Sequence, residues 1–354
     1  NKYKSKVDEA GFTLIEIAMV LLISGMFIAA GAQFLKSYTQ NAKYEKTIDH
    51  VKEIQETLFE YYVREGGYPC PADPSLKPNE AGYGESACRS VANFNANRAD
   101  CTGIPGGIAC PDPATSGARD VDGDGVSDIV LIGALPFRTL AEYLDNIDGN
   151  IQTTTFREVH KKDGFGHLFT YAVTESMTTV NPENTVLTPA RPYDGAIAVE
   201  DENGLSLTDP FGAAHYVILS HGDNGRGGYT DRGEMVSDCI IMDLTDPMNP
   251  VPMPSPVPSP APGLGGGLDL ELENCNFENA IFLKGIRSTA DNSDYYDDML
   301  FFKVSESAPV WQISLNSEDN ESRIFNTNEG SAGIGLTDAP PSEKLHVVGN
   351  VLGE

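Results

Sequence analysis

From Phe12 to Glu65 the chain carries 54 residues without a proline, and their pattern changes half-way along. The stretch "FTLIEIAMVLLISGMFIAAGA", Phe12 to Ala32, is apolar on every helical face, and its 21 residues suffice to cross a bilayer core of roughly 30 Å as a helix. Beyond it Ile48, Val51, Ile54 and Leu58, then Tyr61 or Tyr62, recur at spacings of three and four, which is one helical face. The first break comes at Gly66-Gly67-Tyr68-Pro69. A continuous helix of this length would be about 80 Å long. One half suits lipid and the other half suits the surface of a folded domain.

Glu16 interrupts the apolar half near its start. An ionised side chain in hydrocarbon costs on the order of 2–3 kcal/mol even on lenient insertion scales, so such a carboxylate is normally functional and paired. The alternative is a plain membrane anchor that tolerates one acidic residue near its end. Ahead of the run, Lys2, Lys4 and Lys6 predict a cytoplasmic N-terminus and an exported C-terminal body. No small-x-small cleavage site follows the apolar segment, as it would in an ordinary signal peptide.

The short basic leader, Gly11, then "FTLIE" opening an apolar helix, closely resembles the type IV pilin superfamily, which includes minor pilins and the pseudopilins of type II secretion. The resemblance implies cleavage between Gly11 and Phe12 by a prepilin peptidase, followed by N-methylation of Phe12. It makes Glu16 the fifth residue of the mature chain, where this family carries its glutamate. The amino group freed at Phe12 is a cation, and Glu16 of an incoming subunit can neutralise it on a neighbour. Glu16 is then an assembly residue that sets register. The sequence opens on Asn1, as expected of an excerpt.

With 52 acidic against 24 basic residues the formal charge is −28, which repels nucleic acid and anionic lipid surfaces and excludes nucleic acid as a partner. Hydrophobic residues make up 40% and fall in short strand-like bursts, which argues for a folded body rich in loops. Cys70, Cys88, Cys101, Cys110, Cys239 and Cys275 form no CxxC pair, and no histidines stand at zinc-finger spacing. Behind an export segment, disulfides are the better reading. Proximity favours pairs within the first four and a separate Cys239–Cys275 bridge, although sequence alone leaves the connectivity open.

In "DVDGDGVSDIVLIGALPF", Asp120, Asp122, Asp124, Gly125 and Asp128 fit positions 1, 3, 5, 6 and 9 of a calcium loop of the EF-hand type. Alternating side chains in a tight turn would converge oxygens on Ca2+, the one cofactor the sequence suggests. Position 12, however, is Leu131 where a bidentate Glu belongs. The competing reading is a polar turn that feeds the strand "IVLIGALPF". "KDGFGHLFTYAV" (162–173) reads as a turn and a strand, and "HYVILSHGDNGRGGYTDRGE" (215–234) as a strand entering a Gly-rich loop. Both are similar to the sheet region of pseudopilins, some of which bind calcium in the loop after the sheet. Asp223, Asn224 and Asp231 are the oxygens such a site would use here, against the plainer reading of a glycine-rich connection.

"DPMNPVPMPSPVPSPAPGLGGG" (246–267) is a Pro-rich excursion, extended at first and flexible at its glycine end. "NAIFLKGI" and "YYDDMLFFKV" read as late strands of the sheet. "GIGLTDAPPSEKLHVVGN" (333–350) is similar to a short repeat of phage tail fibres and bacterial surface fibres, and the resemblance implies either a receptor-facing tip or a C-terminal continuation beyond this stretch. The six histidines form no HExxH and there is no GxSxG. His221 beside Asp223 is the one acid–base temptation, and a solvated turn is the commoner meaning of such a pair. No catalysis is expected.

The expected fold is α+β: a long N-terminal helix, half transmembrane and half amphipathic, packed on an antiparallel β-sheet body with long loops. The expected organisation is a leader at 1–11, the helix at 12–65 with its membrane span at 12–32, a disulfide-containing body at 66–305 with the excursion 246–268, and a β-rich segment at 306–354. The expected role is a structural subunit of minor-pilin type, held in the bacterial inner membrane with its body in the periplasm, then assembled into a periplasmic or cell-surface filament. Its partners would be other pilin-like subunits, the prepilin peptidase and a surface receptor. A type II secretion pseudopilin and an adhesin on a pilin anchor are the alternatives.

Overall fold

The computed structural model describes residues 14–96, 100–121, 125–148, 160–180, 195–236, 242–243, 251–252, 271, 273–275, 277–288, 296–304, 311–315, 322–326, 332–334 and 345–347. Helix α1 runs Leu14–Glu65 without interruption, 52 residues. It ends where the backbone needs a left-handed residue. Gly66 has φ 76°, and its amide donates to the Tyr62 carbonyl at 3.1 Å, closing the last turn.

The amphipathic half of α1 docks as its spacing requires. Val51, Ile54 and Leu58 are fully buried among Leu131, Phe169, Tyr171, Val173, Tyr216 and Ile218, and both Tyr61 and Tyr62 pack against the same cluster. Those partners lie on one face of a four-stranded antiparallel sheet of order β1-β2-β4-β8, made of β1 (Val130–Ala134), β2 (Thr170–Thr174), β4 (Ala214–Ser220) and β8 (Met299–Val304). Leu131 opposes Val173, and Tyr171 opposes Ile218, so the helix-facing residues align across strands.

The alternate residues Val130, Ile132, Ala172, Val217, Leu219 and Leu300 form a second core on the other face. There they meet Ile197, Val199 and Phe282, carried by or beside β3 (Ala198–Asp201) and β7 (Ile281–Lys284), which pair in parallel. The sheet is thus covered on both sides, and β1, β2 and β4 are buried along their whole length. The expected late strands divide between layers: β8 joins the main sheet as its edge, whereas β7 belongs to the covering pair.

Two further departures have local causes. "IVLIGALPF" is strand only to Ala134. Phe137, Leu140, Ala141 and Leu144 then follow helical spacing, and α3 (Phe137–Asp148) forms after α2 (Val91–Ala96). Helix α3 lies against α1, with Tyr143 Oη donating to the Glu60 carbonyl at 2.8 Å. Of the Pro-rich excursion only Val251–Pro252 is described, as β6, antiparallel to β5 (Met242–Asp243). In the C-terminal segment β9 (Trp311–Leu315) and β10 (Ser322–Asn326) pair antiparallel, and β11 (Ala332–Ile334) pairs in parallel with β12 (Leu345–Val347).

The expected membrane span at 12–32 lies only partly within the described residues, and over those residues no helix is long and apolar enough to cross a membrane. Gly11 and Phe12 lie outside the described residues, as do the side chains of Glu16 and of 27–33.

Candidate functional site

The large apolar side chains described in the N-terminal half of α1 are exposed. Ile15, Met19, Leu21 and Met26 are 61–67% exposed, and Phe34 reaches 74%. These residues point in all directions around the axis, and Ile17, Val20, Leu22 and Ile23 are exposed with them. A helix apolar all round is normally buried, in protein or in lipid.

The docked half is clamped by the turn before β2. Asp163 is buried, and its Oδ1 accepts the amides of Phe165, Gly166 and His167 at 2.9, 2.7 and 2.9 Å. Its Oδ2 accepts from Ser220 Oγ at 2.6 Å, joining the turn to the end of β4. The turn then grips α1: the Gly164 amide donates to Thr47 Oγ1 at 2.9 Å, and His50 Nδ1 lies 2.9 Å from the Lys162 carbonyl. His160 Nε2 reaches Glu53 Oε2 at 2.6 Å. The aspartate of "KDGFG" is therefore the linchpin between helix and sheet.

Cys70–Cys88 and Cys101–Cys110 are disulfides, with Cα atoms 5.3 and 6.0 Å apart. Cys275 is also disulfide-bonded, and Cys239, its expected partner, lies outside the described residues. Between the two bridged loops, Arg89 reaches Glu175 in a buried ion pair at 2.5 Å and donates to the carbonyls of Asp100 and Thr102. Burial pushes Glu175 up to about 7 while the guanidinium pulls it down.

The calcium-loop candidates are seen only in part. Asp122 and Asp124 lie outside the described residues. Asp120 Oδ2 accepts the Gly125 amide at 2.9 Å, and Asp128 Oδ2 accepts the Val121 amide at 2.7 Å. Gly125 has φ 91°, as the tight turn requires. The oxygens expected in the 215–234 loop do not converge. Asp223 pairs with Lys43, Asp231 with Lys162, and Asn224 donates to Glu271. Nor does His221 face Asp223. It is fully buried with Nε2 2.8 Å from Thr170 Oγ1, and burial holds its pKa down at about 3.

The acidic side chains that do converge were not singled out by any motif. Ligand oxygens of Glu271, Asp297 and Asp298 lie within 4.8 Å of one another, and all three residues are buried. Burial, reinforced by mutual repulsion, pushes Glu271 up to about 7 and Asp298 well above the usual carboxylate range. The residues come from positions 26 apart with no spacing rule, so only "DD" at 297–298 offered a sequence signal. No protein-family model, curated protein or solved structure matches the chain.

Proposed function

We propose that this chain is a pilin-like structural subunit, of minor-pilin type, that is anchored through α1 and assembles with other such subunits into a filament. The reading is carried by one observation. A single 52-residue helix buries Val51, Ile54 and Leu58 on an antiparallel sheet while leaving Ile15 and the residues from Ile17 to Met26 exposed on every side. A free subunit needs lipid around that half, and an assembled one needs the helices of its neighbours. Glu16 lies in the exposed half, so removing that half from water leaves a carboxylate that requires a cation. The Phe12 amino group of a neighbour supplies it.

In this reading the leader ends at Gly11, a prepilin peptidase cuts before Phe12, and the body faces the periplasm. N-terminal sequencing of the membrane fraction tests it. Phe12, methylated, is the expected first residue. Asn1, or a cut after Ala32, would remove the pilin assignment. Immunogold labelling of sheared filaments then separates a tip subunit from a shaft subunit, and absence from surface filaments would favour the secretion pseudopilin.

A further inference from the structure

The three buried carboxylates come from separate parts of the chain. Glu271 is the first described residue after the Pro-rich excursion, and Asp297 and Asp298 stand immediately before β8. A third segment, the loop after β4, closes over them. The amides of Asp223 and Asn224 donate to Asp297 Oδ2 at 2.6 and 3.2 Å, and Asn224 Nδ2 donates to Glu271 Oε2 at 2.8 Å. Glu271 Oε1 accepts the Asp297 amide at 3.0 Å, and Asn274 Nδ2 holds Asp298 Oδ2 at 3.0 Å. The side chains are thus fixed in place by neutral donors, which orient carboxylates without neutralising them.

Charge does not balance. Arg226 Nη1 lies 4.0 Å from Glu271 Oε2, and it is the one cationic side chain found against the cluster among the described residues. Three carboxyl groups against one guanidinium cannot all be ionised in a buried site unless a further cation joins them. Asp298 is 5% exposed, and its Oδ1, sealed from solvent, makes no hydrogen bond among the described residues. An orphaned anionic oxygen beside two other carboxylates is the arrangement a divalent cation completes.

We propose that Glu271, Asp297 and Asp298 form a calcium site that ties the chain returning from the Pro-rich excursion to the loop after β4 and to the start of β8. Every donor is oxygen, with no histidine or thiolate in the set, which selects a hard cation over zinc or copper. Three carboxylates gathered at irregular spacing suit the variable geometry of calcium better than the strict octahedron of magnesium. The site is distinct from the 120–128 loop, and it does not depend on the pilin-like reading.

The test is calcium titration of the full chain in detergent by calorimetry, with melting in calcium and in chelator. Wild type should bind calcium and melt higher in it, and magnesium at the same concentration should do less. Asp298→Asn and Glu271→Gln should each weaken calcium binding at least tenfold. Asp298→Asn should melt no lower than wild type in chelator, because the substitution keeps the side chain's shape and puts no charge in the buried site, and that readout shows the variant to be folded. Asp122→Asn with Asp124→Asn should leave this binding unchanged. Absence of calcium-dependent heat and melting shift in wild type would overturn the proposal. So would undiminished binding in both cluster variants, or a loss confined to the Asp122 and Asp124 double variant.

Discussion

Gly164 lies so close to α1 that a Cβ built on it would stand 1.9 Å from the carbonyl oxygen of Lys43. No side chain fits at that distance, and the obstacle is helix backbone, which cannot turn aside. The Gly164 amide also donates to Thr47 Oγ1, one turn further along. Contact between turn and helix is thus backbone against backbone, set from below by the Asp163 carboxylate.

Gly164→Ala should therefore push the turn off α1 and destabilise the body by about 1–3 kcal/mol, the usual range for forcing atoms into a packed site. Gly166→Ala is the matched control. Its Cβ would meet nothing within 4 Å, and it carries only the strain of φ 104°. Thermal melting of the two variants should place Gly164→Ala lower. Equal melting temperatures would mean that the helix is not held by this turn.

Arg89 and Glu175 should behave as a unit. Their side chains are essentially sealed from solvent, so removing one leaves the other buried without its counter-ion, at about 3–5 kcal/mol. Arg89→Met and Glu175→Leu should each be strongly destabilising. The double variant should recover much of the loss, short of wild type because Arg89 also serves the carbonyls of Asp100 and Thr102. Chemical denaturation of the four proteins measures the coupling, and strict additivity would contradict it.

His215 should make the body acid-sensitive. It is buried with neither ring nitrogen hydrogen-bonded, and burial first, then Lys303, push its pKa down to about 4. The unfolded chain, with a histidine near 6.5, binds the proton more readily between those values. Its contribution to stability is accordingly complete above pH ~6.5 and is lost as pH falls toward ~4. From pH 7 to pH 5 the loss is about 2 kcal/mol for this residue. His215→Phe should flatten the melting-temperature profile over that window and, by removing an unsatisfied buried polar group, should not lower stability at pH 7. An unchanged slope would assign the acid sensitivity elsewhere, with His221 the next candidate.

Glu16→Leu separates anchoring from assembly. Insertion of the single subunit should be unharmed, since the change removes a charge from hydrocarbon. Assembly should fail, because the neighbouring Phe12 amino group would be left without its counter-charge at a cost of several kcal/mol. The variant should be processed and found in the inner membrane but be scarce in sheared filaments. Incorporation equal to wild type would reduce Glu16 to an incidental residue of an anchor.

Local pattern alone determined the long helix, its docking face and its end. Val51, Ile54 and Leu58 recur at helical spacing, and Gly66 is a residue that takes a left-handed turn without strain. The strands around Tyr171, Val217 and Phe301 were legible for the same reason, since the short apolar bursts bounded by turn residues lie within single segments. Tertiary structure alone decided that β7 leaves the main sheet, because pairing partners are chosen by which apolar faces meet across distant segments. It alone gave Asp163 its place between helix and sheet, where Ser220, 57 residues away, completes its hydrogen bonds. It also gathered Glu271, Asp297 and Asp298. Spacing marks ligands only when one short loop supplies them, and here three segments close over the charges, so their meeting is written in the packing of the chain and in no stretch of it.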